Sequence, residues 1–333
     1  MTPEELLNTI RAFQESRALL TAIEFDLFAY LEGGATAAEA AARINADPRA
    51  TEMLLNALVA MGVIEKRDGS YRNSALASEQ LTGEARMALM HQVHLWRRWS
   101  TLTECVRQGT SVTRGEPRTP DSTEAFIAAM HRNASSRAPE VVKAVDASKV
   151  RWMLDVGGGS GAYSIAFARA NPELEAELLD LPPVVPIASR HIAAAGLEGR
   201  VRLRSGDLRR DDFGKGFDLV LVSAICHMLS PDENRNLLSR CAGALKPGGR
   251  IVIQDFVLDP DKTSPRFAAL FSLNMLVGTE RGASYSEPEY RSWLREAGMR
   301  EVTRIDLQGG PALMIGTKGL SLNNRLLDST SLY

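Results

Sequence analysis

The residues best suited to chemistry lie in four short stretches between 153 and 227. The first is Met153-Leu154-Asp155-Val156-Gly157-Gly158-Gly159-Ser160-Gly161. An apolar run ends in an acid and then breaks into glycines, the pattern of a buried strand turning sharply into a helix. Only glycine lets the backbone come close to a ligand there. The second, Leu178-Leu179-Asp180-Leu181, delivers a carboxylate 23 residues after Gly157, placed to accept hydrogen bonds from a ribose diol. The third, Val201 to Asp207 with Leu208 behind it, ends another strand-like run in an acid. Asp155, Asp180 and Asp207 would thus ring one pocket with carboxylates, on the carboxyl rim where open α/β sheets bind ligands. The fourth, Ser223-Ala224-Ile225-Cys226-His227, sets a histidine just past the end of a further apolar run.

The glycine spacing separates ligand classes. Dinucleotide enzymes use G-x-G-x-x-G, with a pyrophosphate at the helix N-terminus. Here Gly157, Gly159 and Gly161 make G-x-G-x-G, and no Lys-Ser/Thr pair follows as a P-loop would require. A ring of acids suits a cofactor with a ribose, an amino-bearing base and a cationic centre, and suits the diphosphate of NAD poorly. On these residues the chain resembles the class I S-adenosylmethionine-dependent methyltransferases. The resemblance implies S-adenosylmethionine as cofactor and S-adenosylhomocysteine as product. It places Asp155, Gly157 and Gly159 near the amino-acid end, Asp180 and Leu181 at the ribose, and Asp207 and Leu208 at the adenine.

The segment Ile225-Cys226-His227-Met228-Leu229-Ser230-Pro231-Asp232-Glu233 is similar to the I-C-H-D-W-S-D-E stretch of plant-type O-methyltransferases, whose histidine is the general base. The resemblance makes His227 that base. A phenol titrates near about 10 and histidine near about 6.5, so a phenolic acceptor needs such a partner at neutral pH. The imidazolium then needs an orienting carboxylate. Asp255, closing Ile253-Gln254-Asp255, and Glu280, in Gly278-Thr279-Glu280-Arg281, match family positions for it. Ser223 stands where plant relatives carry a lysine near the cofactor, and Met228 and Leu229 replace the Asp and Trp after the histidine. An F-x-x-x-M setting at Phe126 and Met130 is similar to the family helix that supplies a methionine to the substrate cavity; Phe271 and Met275 are expected to complete it. The acceptor expected is an apolar aromatic or polyketide-like molecule, with methylation at oxygen preferred over nitrogen or carbon. No group of residues has hard-cation ligand spacing, so no metal is expected.

These residues need a sheet to hold them. From Arg151 apolar strands at 151–156, 175–180, 200–205, 217–223 and 249–255 alternate with helix-compatible segments, which predicts a doubly wound, Rossmann-like α/β sheet. Met299–Leu307 and Ala312–Thr317 should pair as a C-terminal antiparallel hairpin around Gly309-Gly310-Pro311. Residues 1–85 read as a mostly helical domain. One helix is expected over Leu6–Leu31, then two short helices (Thr36–Ile44 and Pro48–Met61) and a hairpin centred on Asp68-Gly69, together a winged helix. Residues 86–150 read as a helical linker contributing to the substrate cavity, 151–318 as the catalytic domain and 319–333 as a polar tail.

A winged helix invites a DNA-binding reading, but residues 1–85 hold 13 acidic and 7 basic side chains, and the would-be recognition helix carries Arg49 as its one cation. A DNA reader presents a basic face. In the family this resembles, the winged helix dimerises the enzyme, so a homodimer is expected and nucleic acid is not. The net charge is −2 and three scattered cysteines make no disulfide framework. With no long apolar run, the protein is expected to be cytoplasmic, off the membrane, and to act on a small molecule. Two other readings stay open: the same fold and cofactor used for hydroxylase- or decarboxylase-like chemistry, and a winged-helix regulator that senses a ligand. A hydride-transferring enzyme ranks below both on the glycine spacing.

Overall fold

The computed structural model describes residues 1–113 and 119–320. They form two compact units: one from the described residues of Met1–Arg98 and Pro117–Met130, the other from those of Trp99–Glu116 and His131–Tyr333.

The first unit is built from α1 (Pro3–Arg11), α2 (Phe13–Glu24), α3 (Leu27–Leu31), β1 (Ala35–Thr36), α4 (Ala37–Arg43), α5 (Pro48–Ala60), β2 (Ile64–Arg67), β3 (Ser70–Asn73), α6 (Ala75–Gln80) and α7 (Gly83–Trp99). The expected single helix over Leu6–Leu31 is three. Asp26 sits at φ 55°, in the left-handed region, and ends the run before α3. Its apolar stripe divides as well: Leu6, Ile10 and Phe13 are exposed, whereas Ile23 and Leu27 are buried. Periodicity reports an apolar face without saying what covers it. Asp68 (φ 48°) and Gly69 (φ 78°) make the tight turn between β2 and β3. The two-residue β1, too short to read from sequence, pairs with β3. The core is Ile23, Leu27, Phe28, Leu31, Leu55, Leu58 and Tyr71.

The second unit holds α8 (Leu102–Gln108), the C-terminal part of α9 (Pro120–Val145) and a seven-stranded sheet. Its strands are β4 (Trp152–Val156), β5 (Glu175–Asp180), β6 (Val201–Ser205), β7 (Phe217–Ser223), β8 (Leu245–Asp255), β9 (Met299–Asp306) and β10 (Ala312–Lys318). The order is β6-β5-β4-β7-β8-β10-β9, parallel except for β10, which pairs antiparallel with both β8 and β9. The hairpin therefore docks through its second strand. The helices are α10 (Ala162–Ala170), α11 (Val185–Ala194), α12 (Pro231–Ala244), α13 (Arg266–Gly278) and α14 (Glu287–Glu296).

Alternate strand residues feed two cores, as a sheet covered on both faces demands. Leu154, Val156, Val220, Val222 and Ile253 pack with Leu237 and Leu238 of α12 and Tyr290 and Trp293 of α14. Met153, Leu219, Leu221 and Val252 pack with Val141 and Val145 of α9, Phe167 of α10 and Ile192 of α11. Among the described residues no helix is long and apolar enough to cross a membrane.

Entry into β4 is tied down by Asn171. Its buried Nδ2 donates to the carbonyls of Ala147 and Val150, both at 2.8 Å, and its Oδ1 accepts from Glu173 N at 3.0 Å. Removing the amide strands the Val150 carbonyl and leaves the Ala147 carbonyl with Val150 N alone (3.0 Å), and a buried group is expensive to leave unpaired. Asn171→Ala is expected to cost about 1–3 kcal/mol, measured by chemical denaturation; an unchanged midpoint would show that solvent replaces the amide.

Candidate active site

The glycine turn leaves β4 with Gly157, Gly159 and Gly161 at φ 69°, 58° and 80°, conformations that side chains resist. Gly157 N donates to Leu179 O (2.8 Å) and Gly161 N to Gly158 O (2.9 Å). One side of the turn is pressed tight: a Cβ on Gly158 would lie 2.6 Å from Leu178 Cγ and 2.8 Å from Asp155 Cγ. The other is open, since a Cβ on Gly159 would meet nothing within 4 Å.

Asp180, closing the neighbouring β5, is bound to this turn. Its Oδ2 accepts Gly159 N and its Oδ1 accepts Leu181 N, both at 2.7 Å. Burial pushes the carboxyl above its ordinary range, and the two amides pull it back. Each oxygen keeps a second lone pair. An acceptor pair beside open backbone at Gly159 fits a ribose-bearing ligand. Leu181 is exposed.

The three acids expected around one pocket differ in their surroundings. Asp155 is 1% exposed and lies beneath the turn, where its Oδ2 accepts Ser164 Oγ at 2.7 Å. Burial raises its pKa to about 6, against the Ser164 hydrogen bond. The strand pleat decides this: Asp155 shares the face of Met153, turned to α10. Asp207 lies in the loop beyond β6, half-buried, its Oδ1 accepting Arg209 N (2.9 Å). Leu208 is partly buried, next to the Gly157 position. Ser223 is engaged at the end of β7: its Oγ donates to Gln254 Oε1 (2.8 Å), which also accepts the Tyr163 hydroxyl (3.1 Å). Burial raises the Tyr163 phenol, and the Arg137 guanidinium beside it opposes that shift.

After β7 the chain bends at Ala224, left-handed at φ 55°, with Ala224 N on Gln254 O (2.9 Å). It then makes one 3-10 turn, Cys226–Met228. Asn234 of α12 clamps that turn through Nδ2 to Cys226 O (2.9 Å), and the Tyr285 hydroxyl donates to Leu229 O. His227, 6% exposed, is thereby delivered to Asp255 at the end of β8. Nδ1 lies 2.6 Å from Asp255 Oδ1, which also accepts Phe256 N (2.8 Å). Oδ2 accepts His227 N and the Tyr290 hydroxyl, both at 3.1 Å. A carboxylate with four donors leaves Nδ1 of a neutral imidazole carrying its proton and Nε2 carrying the lone pair.

Aromatic rings surround the pair. Phe271 of α13 stands edge-on to His227 at 4.8 Å between centroids, and Phe256 lies 4.5 Å from Phe271 and 4.9 Å from Phe267. Trp99 Nε1 to Asn274 Oδ1 (2.9 Å) and Ser111 Oγ to Val277 O (2.9 Å) hold α13 in place. Met275 is buried on the same helix. Glu280 is exposed and, among the described residues, is not a hydrogen-bond partner of His227; its carbonyl accepts Thr110 Oγ1 (3.0 Å). Two residues on, a Cβ at Gly282 would collide with the His227 carbonyl. Phe126 and Met130 are half-buried in the first unit, Phe126 edge-on to His91 at 5.3 Å. Sequence reasoning missed Tyr290, Phe256, Phe267, Tyr163 and Asn234, and of these only Phe256, adjacent to Asp255, carried a local signal.

The packing under the turn sets a stability test. Gly158→Ala must displace Leu178 or Asp155, and overpacking of that kind costs about 1–3 kcal/mol. A fall in unfolding midpoint is expected, and an unshifted one would mean that the turn lifts freely.

A family model described as an O-methyltransferase domain matches residues 99–300, and one described as an O-methyltransferase dimerisation domain matches residues 7–83. The chain is 36% identical to the 3-hydroxy-5-methyl-1-naphthoate 3-O-methyltransferase of Streptomyces sahachiroi, covering 95% of each chain. It is 31% identical to the tetracenomycin polyketide synthesis 8-O-methyl transferase TcmO of Streptomyces glaucescens, over 95% of this chain and 97% of the relative. The structure of human N-acetylserotonin methyltransferase in complex with S-adenosylmethionine superposes with a TM-score of 0.83 at 28% identity, over 95% of this chain and 97% of that one. The protein therefore belongs to the S-adenosylmethionine-dependent O-methyltransferases and carries that family's dimerisation domain at residues 7–83.

Proposed function

We propose that the enzyme methylates a hydroxyl of a flat aromatic or polyketide-like small molecule, with His227 as the general base. The observation that carries this reading is the buried His227–Asp255 pair, 2.6 Å apart, walled by Phe256 and Phe271. The relatives named for naphthoate and tetracenomycin methylation support the substrate class. S-adenosylmethionine, when bound, supplies an electrophilic methyl group on a sulfonium.

The protein's part is to make an oxygen nucleophilic and keep water away from it. Nε2 of His227 takes the hydroxyl proton as the oxygen becomes nucleophilic. Asp255 accepts Nδ1–H throughout and stabilises the imidazolium. The phenylalanines offer a stacking surface and shield the developing charge from solvent. Asp180, with Leu181 beside it, takes the ribose diol; Gly157 and Gly159 let the amino-acid end approach the backbone. Asp207 and Leu208 lie toward the base. Asp155 supports the turn from below, and Ser223 sets Gln254 and Tyr163. Phe271 and Met275 contact the acceptor. Glu280, solvated on its loop, is the more dispensable of the two acids.

The working form is a cytoplasmic homodimer that does not bind nucleic acid. Support comes from the dimerisation-domain match, the exposed Leu6, Leu7, Ile10 and Phe13, and the acidic balance of residues 1–85.

Transfer of labelled methyl from S-adenosylmethionine to a panel of phenols and hydroxylated polyketides tests the reaction. His227→Ala is expected to reduce turnover by about 10²-fold or more while leaving cofactor affinity intact; undiminished turnover would place the base elsewhere. Asp180→Ala is expected to weaken calorimetric S-adenosylmethionine binding by more than about tenfold, since an unpaired diol forfeits charge-assisted hydrogen bonds. Unchanged affinity would remove Asp180 from the ribose site.

A further inference from the structure

The hydroxyl of Tyr290 reaches the carboxylate oxygen of Asp255 that His227 Nδ1 does not. Tyr290 belongs to α14, 35 residues beyond Asp255, is 0% exposed, and donates to Asp255 Oδ2 at 3.1 Å. Its ring is fixed edge-on by Trp293 (5.4 Å, 72°) and Tyr285 (6.3 Å, 87°). We propose that Tyr290 is a positioning residue for the methyl-transfer step: its hydroxyl holds the Asp255 carboxylate in one orientation and sets how strongly Asp255 binds the His227 proton. This rests on the general-base reading of His227.

The argument is one of charge sharing. Asp255 has two oxygens and four donors, of which three are N–H groups of His227 and Phe256. The fourth is the phenol, the one donor contributed by α14. A neutral donor on a buried carboxylate stabilises its charge and lowers its affinity for a proton. Without it, the remaining charge is satisfied more completely by an imidazolium, and the pair keeps its proton to higher pH. A base that stays protonated cannot accept a substrate proton. The other titratable groups facing Asp255 leave this effect to the phenol. Cys226, whose thiol burial raises well above its usual value, stays neutral, and Tyr285, raised by burial and by Glu289, gives its own hydroxyl to Leu229 O. Tyr290 is likewise raised by burial, with Asp255 adding to the shift, so it acts as a donor and not as a second base.

The test is a titration of the His227 ring by ¹⁵N NMR in the full chain with S-adenosylhomocysteine bound, the resonance assigned by its loss in His227→Ala. Tyr290→Phe keeps the ring and removes the donor. The midpoint is expected to rise by about one pH unit, as loss of a hydrogen bond to a charged group implies. The acidic limb of kcat/KM for methyl transfer should move with it, with S-adenosylmethionine affinity unchanged within about twofold. Difluorotyrosine at 290 strengthens the donor without changing the packing and is expected to move the midpoint down, which keeps the idea testable even if Tyr290→Phe does not fold. An unmoved midpoint in either variant, or a loss of activity equal at every pH, overturns the inference. If His227→Ala retains full turnover, the general-base reading falls and this role for Tyr290 falls with it. If His227→Ala abolishes turnover while Tyr290→Phe titrates as the parent, only the present inference is lost.

Discussion

A carboxylate buried at the end of a central strand cannot be left alone. An isolated charge there is costly by many kcal/mol, and the protein has to bring donors to it or let it neutralise. Asp255 solves this with donors from three separated segments: the turn after β7, the residue after Asp255 itself, and α14. Each needs the others. The sheet must bring β7 beside β8, the chain must bend at Ala224 to swing His227 across, and α14 must pack with Tyr290 inward. The left-handed conformation of a non-glycine residue at 224 costs of order 1–3 kcal/mol, which the hydrogen bond to Gln254 and the Asn234 clamp help to offset. The need to satisfy Asp255 is thus also what places His227.

The glycine turn runs on the opposite principle. Two aspartates end adjacent parallel strands, in the register Asp155 to Leu178 with Asp180 two residues further on, yet they behave differently. Asp180 faces the turn and is held by two backbone amides. Asp155 faces α10, and burial moves its pKa from 3.8 to about 6. A carboxyl raised in the folded state supports folding fully below its unfolded pKa, and that contribution is lost as pH rises through the window from 3.8 to about 6. Asp155 thus lies under the turn on Ser164, and Asp180 lies at its edge on two backbone amides.

What was legible in the sequence was what is local. The glycine spacing, Asp180 at the end of its strand, His227 after β7 and the strand series follow from runs of a few residues, and the structure has those elements. The burial of Asp155 was not legible because an acid at the end of a strand looks the same whichever way the pleat turns it; its parity with Met153 carried the information. The helix over Leu6–Leu31 broke into three because apolar periodicity continues across a bend. Tyr290, Phe267 and Asn234 had no signal, since their roles exist only once α12, α13 and α14 lie against the sheet. Glu280 shows a related limit: its segment does not tell where the side chain lies, and in the structure it is exposed after α13.

Burial itself presents the His227–Asp255 pair with a conflict. Excluding water strengthens the hydrogen bond between Nδ1 and Asp255. The same dry surroundings penalise a charged imidazolium. Asp255 meets this with four donors, three N–H groups and one phenol, which share its charge between both oxygens. The Asp255 carboxylate and the Tyr290 hydroxyl meet only through the packing of α14 against the sheet, and neither contact can be read from its own position in the chain.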